Sequence, residues 1–248
     1  MNSCLKMEIS GISKSFGEKN VLKGVDISLN QGEIVSLLGV SGAGKTTLFN
    51  VISGLLEPDS GFITLDGENI TNTTGKVSYM LQKDLLMPHK TVIENIALPL
   101  IIKGIKKKDA FAEVDKFFKT FGLDGYQKKY PKELSGGMCQ RAALLRTYMF
   151  SNNVALLDEP FSALDTMTKG KLQAWYLEIM EKIQLSTIFI THDIDEAIYL
   201  SDRVYILSEG KIANEVIIDC EKPRSREFML TNEFLQYKRA ILNTINVF

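Results

Sequence analysis

The sequence predicts an α/β protein, a mostly parallel sheet core interrupted by a helical insertion. Three observations carry this. The runs "IVSLL", "VALL" and "TIFI", within 33–39, 154–158 and 187–191, are continuously apolar rather than alternating, as parallel strands buried on both faces should be. Helical patterns at 44–54, 165–184 and 194–200 lie between the sheet runs. Residues 91–150 hold almost no strand signal and read as helices.

Taken in order, the strand candidates are 25–29, 33–39, 62–65, 77–81, 154–158, 187–191 and 203–207. The helical insertion reads as "TVIENIALPLII", "KDAFAEVDKFFKTFG" and "GMCQRAALLRTYMF". Residues 208–219 have the form of a closing hairpin with Glu209 and Gly210 at its turn. The tail from 225 reads as a short amphipathic helix. A chain of 248 residues can hold one large α/β domain with an inserted subdomain. The expectation is a single domain over 1–224, with a helical subdomain at about 86–150, and a helical tail at 225–248.

Composition excludes several classes. The chain is 45% hydrophobic and 24% charged, ordinary for a globular protein. Its formal net charge is −1, so it carries no overall basic footprint and no nucleic-acid partner is expected. Lys106, Lys107 and Lys108, and the pair Lys128 and Lys129, read as solvated helix faces. The longest membrane candidate, "IALPLII" at 96–102, falls far short of the roughly 20 residues a spanning helix needs. The opening "MNSCLKMEIS" lacks the apolar stretch of a signal peptide. Cys4, Cys139 and Cys220 lie at no metal-like spacing and read as free thiols in a reducing compartment. A cytosolic chain is expected, able to sit on a membrane through a partner.

The chemistry begins with "GVSGAGKT" at 39–46, which fits G-x-x-x-x-G-K-[ST] between a strand and a helix. Gly39 and Ser41 open this loop. Gly42, Ala43, Gly44, Lys45, Thr46 and Thr47 can present backbone N–H groups to phosphate oxygens at a helix N-terminus. Lys45 supplies a charge to the outer phosphates, and the Thr46 hydroxyl is offered to Mg²⁺. A second element, "VALLDEP" at 154–160, ends an apolar strand in two carboxylates. Such a pair is costly unless a cation or a catalytic task uses it. Beside a phosphate loop, Asp158 would join the Mg²⁺ shell and Glu159 would polarise an attacking water.

"LSGG" at 134–137, "LLDEP" at 156–160, "SALD" at 162–165 and "ITHD" at 190–193 follow "GVSGAGKTT" and "LQKD" in a familiar order. Over roughly 7–220 the chain is similar to the ATP-binding cassette (ABC) ATPases. The resemblance implies a P-loop, RecA-like, mostly parallel core with an N-terminal antiparallel β subdomain and an inserted helical subdomain. It implies that Gln82 meets Mg²⁺ or its water and that His192 contacts the γ-phosphate. It makes Phe16 the aromatic that stacks on adenine and Asp165 a dimer contact. It assigns Ser135, Gly136 and Gly137 to the γ-phosphate of an ATP held by the facing subunit's phosphate loop. Two anion sites in one chain then belong to two different ATP molecules. Met138 and Cys139 depart from the polar or basic residues frequent there. Cys139, near a helix start, could have a depressed thiol pKa; inert packing is the plainer reading.

"DLLMPHKTVIENIALPL", "SGGMCQRAALLRTY" and "THDIDEAIYLSDRVYIL" look most like the ATPases of nitrate, sulfonate, taurine and thiamine-precursor importers. That resemblance implies an ATP-bound homodimer at the cytoplasmic face of the membrane, a separate transmembrane permease pair and a substrate-binding protein. The solute would be chosen by those partners. Leu85, Leu86 and Met87 would be exposed for a permease helix to dock on. The alternatives are an exporter or lipid-release ATPase, or a non-transport clamp; the long coiled insertions of DNA-repair members do not occur. Kinases and GTPases do not explain "LSGG", and no N-K-x-D base-reading motif is present.

Overall fold

In the computed structural model, residues 4–151, 153–162, 164–220 and 224–245 are described. Two long strands, β1 (Leu5–Phe16) and β2 (Lys19–Asn30), precede β3 (Ile34–Leu38) and α1 (Lys45–Ile52). Three short strands follow: β4 (Ser60–Leu65), β5 (Glu68–Asn69) and β6 (Ser78–Met80). Next come the helices α2 (Val92–Ile102), α3 (Lys107–Phe118) and α4 (Gly136–Phe150). The chain returns to α/β alternation with β7 (Val154–Asp158), α5 (Thr166–Ile183), β8 (Ser186–Thr191) and α6 (Ile194–Leu200). It closes with β9 (Arg203–Ser208), β10 (Lys211–Ile217) and α7 (Asn232–Ile245).

The strands form two sheets. One is antiparallel in the order β2-β1-β4-β5; the other has the order β10-β9-β3-β8-β7-β6. In the second sheet β9, β3, β8, β7 and β6 pair in parallel and β10 pairs antiparallel with β9. Glu209 (φ 48°) and Gly210 (φ 82°) make the β9–β10 turn, and positive φ at both central residues suits the right-handed twist of a hairpin.

The apolar strand runs are continuous because both faces of this sheet are covered. Ile34 and Leu38 of β3 join one core while Val35 and Leu37 join the other. Ala155 and Leu157 oppose Val154 and Leu156 in β7, and Phe189 opposes Ile188 and Ile190 in β8. The first core gathers buried side chains from α2 to α7, including Phe118, Tyr176 and Phe234. The second gathers α1 and the inward face of the antiparallel sheet, including Phe49, Met7 and Ile9. Each fully buried Leu, Ile or Phe contributes about 1.5–3 kcal/mol relative to exposure. The tail helix α7 packs on α6 and against β9 and β10.

Two expectations need correction. The 25–29 candidate is the second half of a longer strand, and β1 was not singled out from the sequence at all. In β1, Met7 and Ile9 are buried at odd positions but Ile12 at an even one. Gly11 (φ 61°) and register shifts between Ile9 and Ile12 cause the change of phase, so strict alternation is lost. Leu86, expected to be exposed, is 8% exposed and part of the first core, whereas Leu85 is 54% exposed. An Asx-type turn, Leu86 N–H donating to Asp84 Oδ1 at 3.0 Å, turns the two side chains apart.

Candidate active site

Four parallel strands end side by side in the order β3-β8-β7-β6. Each is followed by candidate residues: the glycine-rich loop after β3, His192 after β8, Glu159 after β7 and Gln82 after β6. Loops at the carboxyl ends of a parallel sheet share one edge, where ligands of such folds bind.

Backbone geometry explains the glycines of the loop. A Cβ on Gly39 would lie 2.4 Å from the Leu207 carbonyl oxygen of the neighbouring β9. Gly44 caps α1 at φ 105°, a conformation closed to most side chains. α1 therefore starts with Lys45 and Thr46, its unpaired N–H groups and positive dipole end facing the loop. Ala43 differs from the expectation, since its N–H donates to the Val40 carbonyl at 3.2 Å. Lys45 is nearly buried, and its ammonium donates to the carbonyls of Gly39 (2.7 Å) and Val40 (2.9 Å). Burial lowers its pKa, against the raising fields of Glu159 and Asp158.

Glu159 joins the remaining elements. Its Oε2 accepts from Gln82 Nε2 at 3.1 Å, and its Oε1 lies 3.1 Å from His192 Nδ1. Gln82 Nε2 is also 3.3 Å from Ser162 Oγ, which itself donates to the Glu159 carbonyl at 3.0 Å. Glu159 has φ 46°, a strained value for a glutamate that costs about 1–2 kcal/mol. Its N–H donates to the Ile190 carbonyl at 3.1 Å, and Ser162 N–H donates to its carbonyl at 3.2 Å, so both sides of the strained residue are fastened. Burial raises the Asp158 pKa, adjacent Glu159 raises it further, and Tyr79 and Lys45 oppose the shift.

The other candidates are placed as follows. Phe16 ends β1 with its ring 51% exposed, near the Lys14 ammonium at 5.9 Å. Ser135 caps α4, its Oγ accepting from Met138 N–H at 3.3 Å. Gly136 and Gly137 face Leu164 and Thr168, each leaving 3.3 Å for a Cβ. Asp165 caps α5, accepting from the N–H groups of Met167 and Thr168 at 3.1 Å. Thus the structure gathers Lys45, Gln82, Asp158, Glu159 and His192, while Ser135, Gly136, Gly137 and Asp165 mark the junction of α4 and α5. Burial, then Asp84, raises the Cys139 thiol pKa, against the depressed value a helix start could give and in keeping with inert packing.

Sequence reasoning missed the supports of these residues. Ser162 lay inside "SALD" without a role. Lys169 donates to Asp193 Oδ2 at 2.8 Å and lies 3.5 Å from the buried Glu196, fixing the residue that follows His192. Asp193 was visible only as the last letter of "ITHD".

The family model described as "ABC transporter" matches residues 22–162, from the second strand through the phosphate loop to Ser162. The chain belongs to the ABC transporter family. The aliphatic sulfonates import ATP-binding protein SsuB of Bacillus cereus is 41% identical to this ABC ATPase over 96% of this chain and 95% of its own. The formylaminopyrimidine import ATP-binding protein ThiZ of Halalkalibacterium halodurans is 40% identical over 90% of this chain and 86% of its own. Among solved structures, the dimeric ATP-binding cassette MJ0796, in a post-hydrolysis state bound to ADP and Pi, superposes with a TM-score of 0.72 at 27% identity, covering 87% of this chain and 100% of its own. This ABC ATPase binds and hydrolyses ATP. Its fold is the one expected, an α/β core with an antiparallel sheet beside it and helices inserted between β6 and β7. Among the described residues no helix is long and apolar enough to cross a membrane.

Proposed function

We propose that this ABC ATPase powers uptake of a small solute, as the nucleotide-hydrolysing subunit of an importer with a separate permease and a substrate-binding protein. The observation that carries the hydrolytic part is Glu159 held between Gln82 and His192 at the edge beside the phosphate loop. Uptake is supported by the import names of its relatives. Lys45 and the N–H groups of Gly42, Gly44, Lys45, Thr46 and Thr47 bind the phosphates, and Phe16 stacks on the base. Glu159 orients the attacking water as general base, and His192 holds Glu159 and the γ-phosphate. Ser135, Gly136 and Gly137 approach the γ-phosphate of the facing subunit's ATP, with Asp165 at the same junction, so the ATP-bound state is a head-to-tail homodimer.

Mg²⁺ suits the chemistry of these residues. Burial, and then the adjacent Glu159 carboxylate, raise the Asp158 pKa, a cost that a divalent cation would relieve. Thr46, Gln82 and Asp158 are oxygen donors that would hold the ion. Mg²⁺ usually takes one or two protein carboxylates and keeps waters and phosphate oxygens for the rest of its shell, which this donor set would suit. When bound, the ion would supply positive charge to the phosphates.

The insertion at about 86–150 faces the permease, with Leu85 and Met87 at its entry, and the chain lies peripherally on the cytoplasmic face of the membrane. Proteoliposomes holding the chain with a permease pair and binding protein test the whole reading. Solute accumulation that depends on ATP at the face bearing this subunit is expected. Solute leaving through that complex on ATP addition contradicts import.

A further inference from the structure

Phe16 lies where the antiparallel sheet runs out. β4 pairs with β1 only as far as Ser13, opposite Ser60, so Lys14, Ser15 and Phe16 have β2 alone beside them. Phe16 faces Lys19 across the turn, where Gly17 has φ 59°. Its ring belongs to neither core. Packing therefore does not hold it, and a polar brace does. Asp59, the residue before β4, bonds to the backbone or side chain of Ser13, Lys14 and Ser15 in succession. Its N–H donates to the Ser13 carbonyl at 2.8 Å. Its Oδ1 accepts from the Lys14 ammonium at 2.9 Å and its Oδ2 from Ser15 N–H at 2.7 Å. The Lys14 ammonium lies in turn 5.9 Å from the centroid of the Phe16 ring, within the range at which a cation is drawn to an aromatic face. From the other side, Ser15 Oγ donates to Asn20 Oδ1 of β2 at 2.7 Å. Asp59 also lies on the segment that leaves α1, the helix that begins at Lys45. Its bonds thus join the aromatic end of β1 to the phosphate-loop helix.

We propose that Asp59 is a positioning residue for the base-stacking ring: it fixes the direction in which Phe16 leaves β1, holds the Lys14 ammonium at the ring, and so sets the affinity for the base. Aromatic stacking favours particular offsets and tilts, so a half-exposed ring contributes fully only when its backbone and one face are held. The ion pair itself is no stability device. The Asp59 side chain is 43% exposed, and exposed pairs contribute little to folding. Its effect is on direction, because two carboxylate oxygens and one N–H fasten consecutive residues at once. The proposal rests on the reading that Phe16 stacks on the base.

The test compares two probes on the purified full chain: ATP, and inorganic tripolyphosphate, which meets the phosphate loop but has no base to stack. Asp59→Ala should raise Kd and KM for ATP about 3- to 10-fold, part of the full stacking contribution, with kcat at saturating ATP within about twofold of native. Tripolyphosphate, measured by its displacement of ATP, should bind as it does to the native chain. Asp59→Asn keeps an acceptor for Ser15 N–H and should recover part of the loss. In a Phe16→Ala background Asp59→Ala should cost no more than about a further twofold, because both changes act on one contact. An unchanged Kd for ATP in Asp59→Ala, an equal loss for tripolyphosphate, or losses that multiply across the two positions would overturn the proposal. If Asp59→Ala does not fold, Asp59→Asn is carried through both backgrounds and both probes with the same directions expected. A Phe16→Ala variant with native ATP affinity overturns the stacking role of Phe16, and the proposal with it. Weakened Phe16→Ala beside native-like Asp59→Ala overturns the proposal alone.

Discussion

His192 Nδ1 lies 3.1 Å from Oε1 of Glu159, while Oε2 of the same carboxylate accepts from Gln82. Both oxygens are thus held, and the residue keeps a strained φ of 46°. Glu159→Gln is isosteric and should keep the fold. It removes the carboxylate that accepts a proton from water, so hydrolysis should fall about 10²–10⁴-fold. It also removes the like charge beside Asp158, so ATP binding should be retained or tightened. Single-turnover ATP cleavage and nucleotide titration check both parts; near-native cleavage would contradict the assignment.

Phe16→Ala should weaken nucleotide binding by about 1–3 kcal/mol, the scale of base–aromatic stacking. The ring is 51% exposed, so little packing is lost. Stacking tolerates any base, and GTP should lose affinity as well. A melting temperature that falls while affinity holds would place Phe16 among structural residues instead.

Leu85 and Leu86 should respond oppositely to charge. Leu86→Asp puts a carboxylate into the core and should cost more than about 3 kcal/mol. Leu85→Asp leaves an exposed side chain at φ 47°, where aspartate is tolerated better than leucine, so stability should change by less than about 0.5 kcal/mol. Uptake through the assembled permease should nevertheless fall in Leu85→Asp. Chemical denaturation and uptake by the same preparations decide it; equal stability losses at both positions would contradict the assigned burial.

Glu94 ties acid sensitivity to the start of α2. The Lys107 ammonium (2.9 Å), then the Thr91 N–H (3.0 Å), hold its carboxyl down at about 2 from an ordinary 4.5. A depressed carboxyl stabilises the fold above its unfolded value and loses that contribution as pH falls towards the folded value. Glu94→Gln should therefore cost about 1 kcal/mol at neutral pH, the worth of a cap with a partly exposed ion pair. The gap between native and variant should close between pH 4.5 and about 2. A gap independent of pH, measured by denaturant titration, would contradict it.

Much of the site was legible because its residues sit in local motifs. The strand–loop–helix around Lys45 and the strand ending in Asp158 and Glu159 each announce their chemistry within a few residues. What brings them together is the strand order β3-β8-β7-β6, which no local pattern encodes. Gln82 and Glu159 are 77 residues apart, and Glu159 and His192 are 33 apart. β1 escaped notice because its bulge at Gly11 breaks the alternation that marks a half-buried strand. Leu86 was misplaced because one apolar stretch, "LLM", turns at Asp84 and sends neighbours to opposite environments. Lys169 gave no signal, since a lone basic residue in a helix reads as solvated until its acceptors are known.

The central claim is that each ATP is held by the phosphate loop of one chain and the Ser135–Gly136–Gly137 turn of another. Gly137→Asp sets a carboxylate where phosphate charge should approach, and its Cβ would press on Thr168 Cγ2 at 3.3 Å, so its fold must be verified first. In the separated monomer it should leave ATP binding nearly unchanged, since the Lys45 loop is untouched. A heterodimer is then made of one chain carrying Gly137→Asp and one carrying Lys45→Ala, with Glu159→Gln in both to stop turnover. In trans, one composite site carries both defects and the other carries neither. The measurement is ATP trapped per purified, folded heterodimer. One tightly held ATP is the result the shared-site account predicts; a folded heterodimer that traps none would contradict it, because self-contained chains would both be broken.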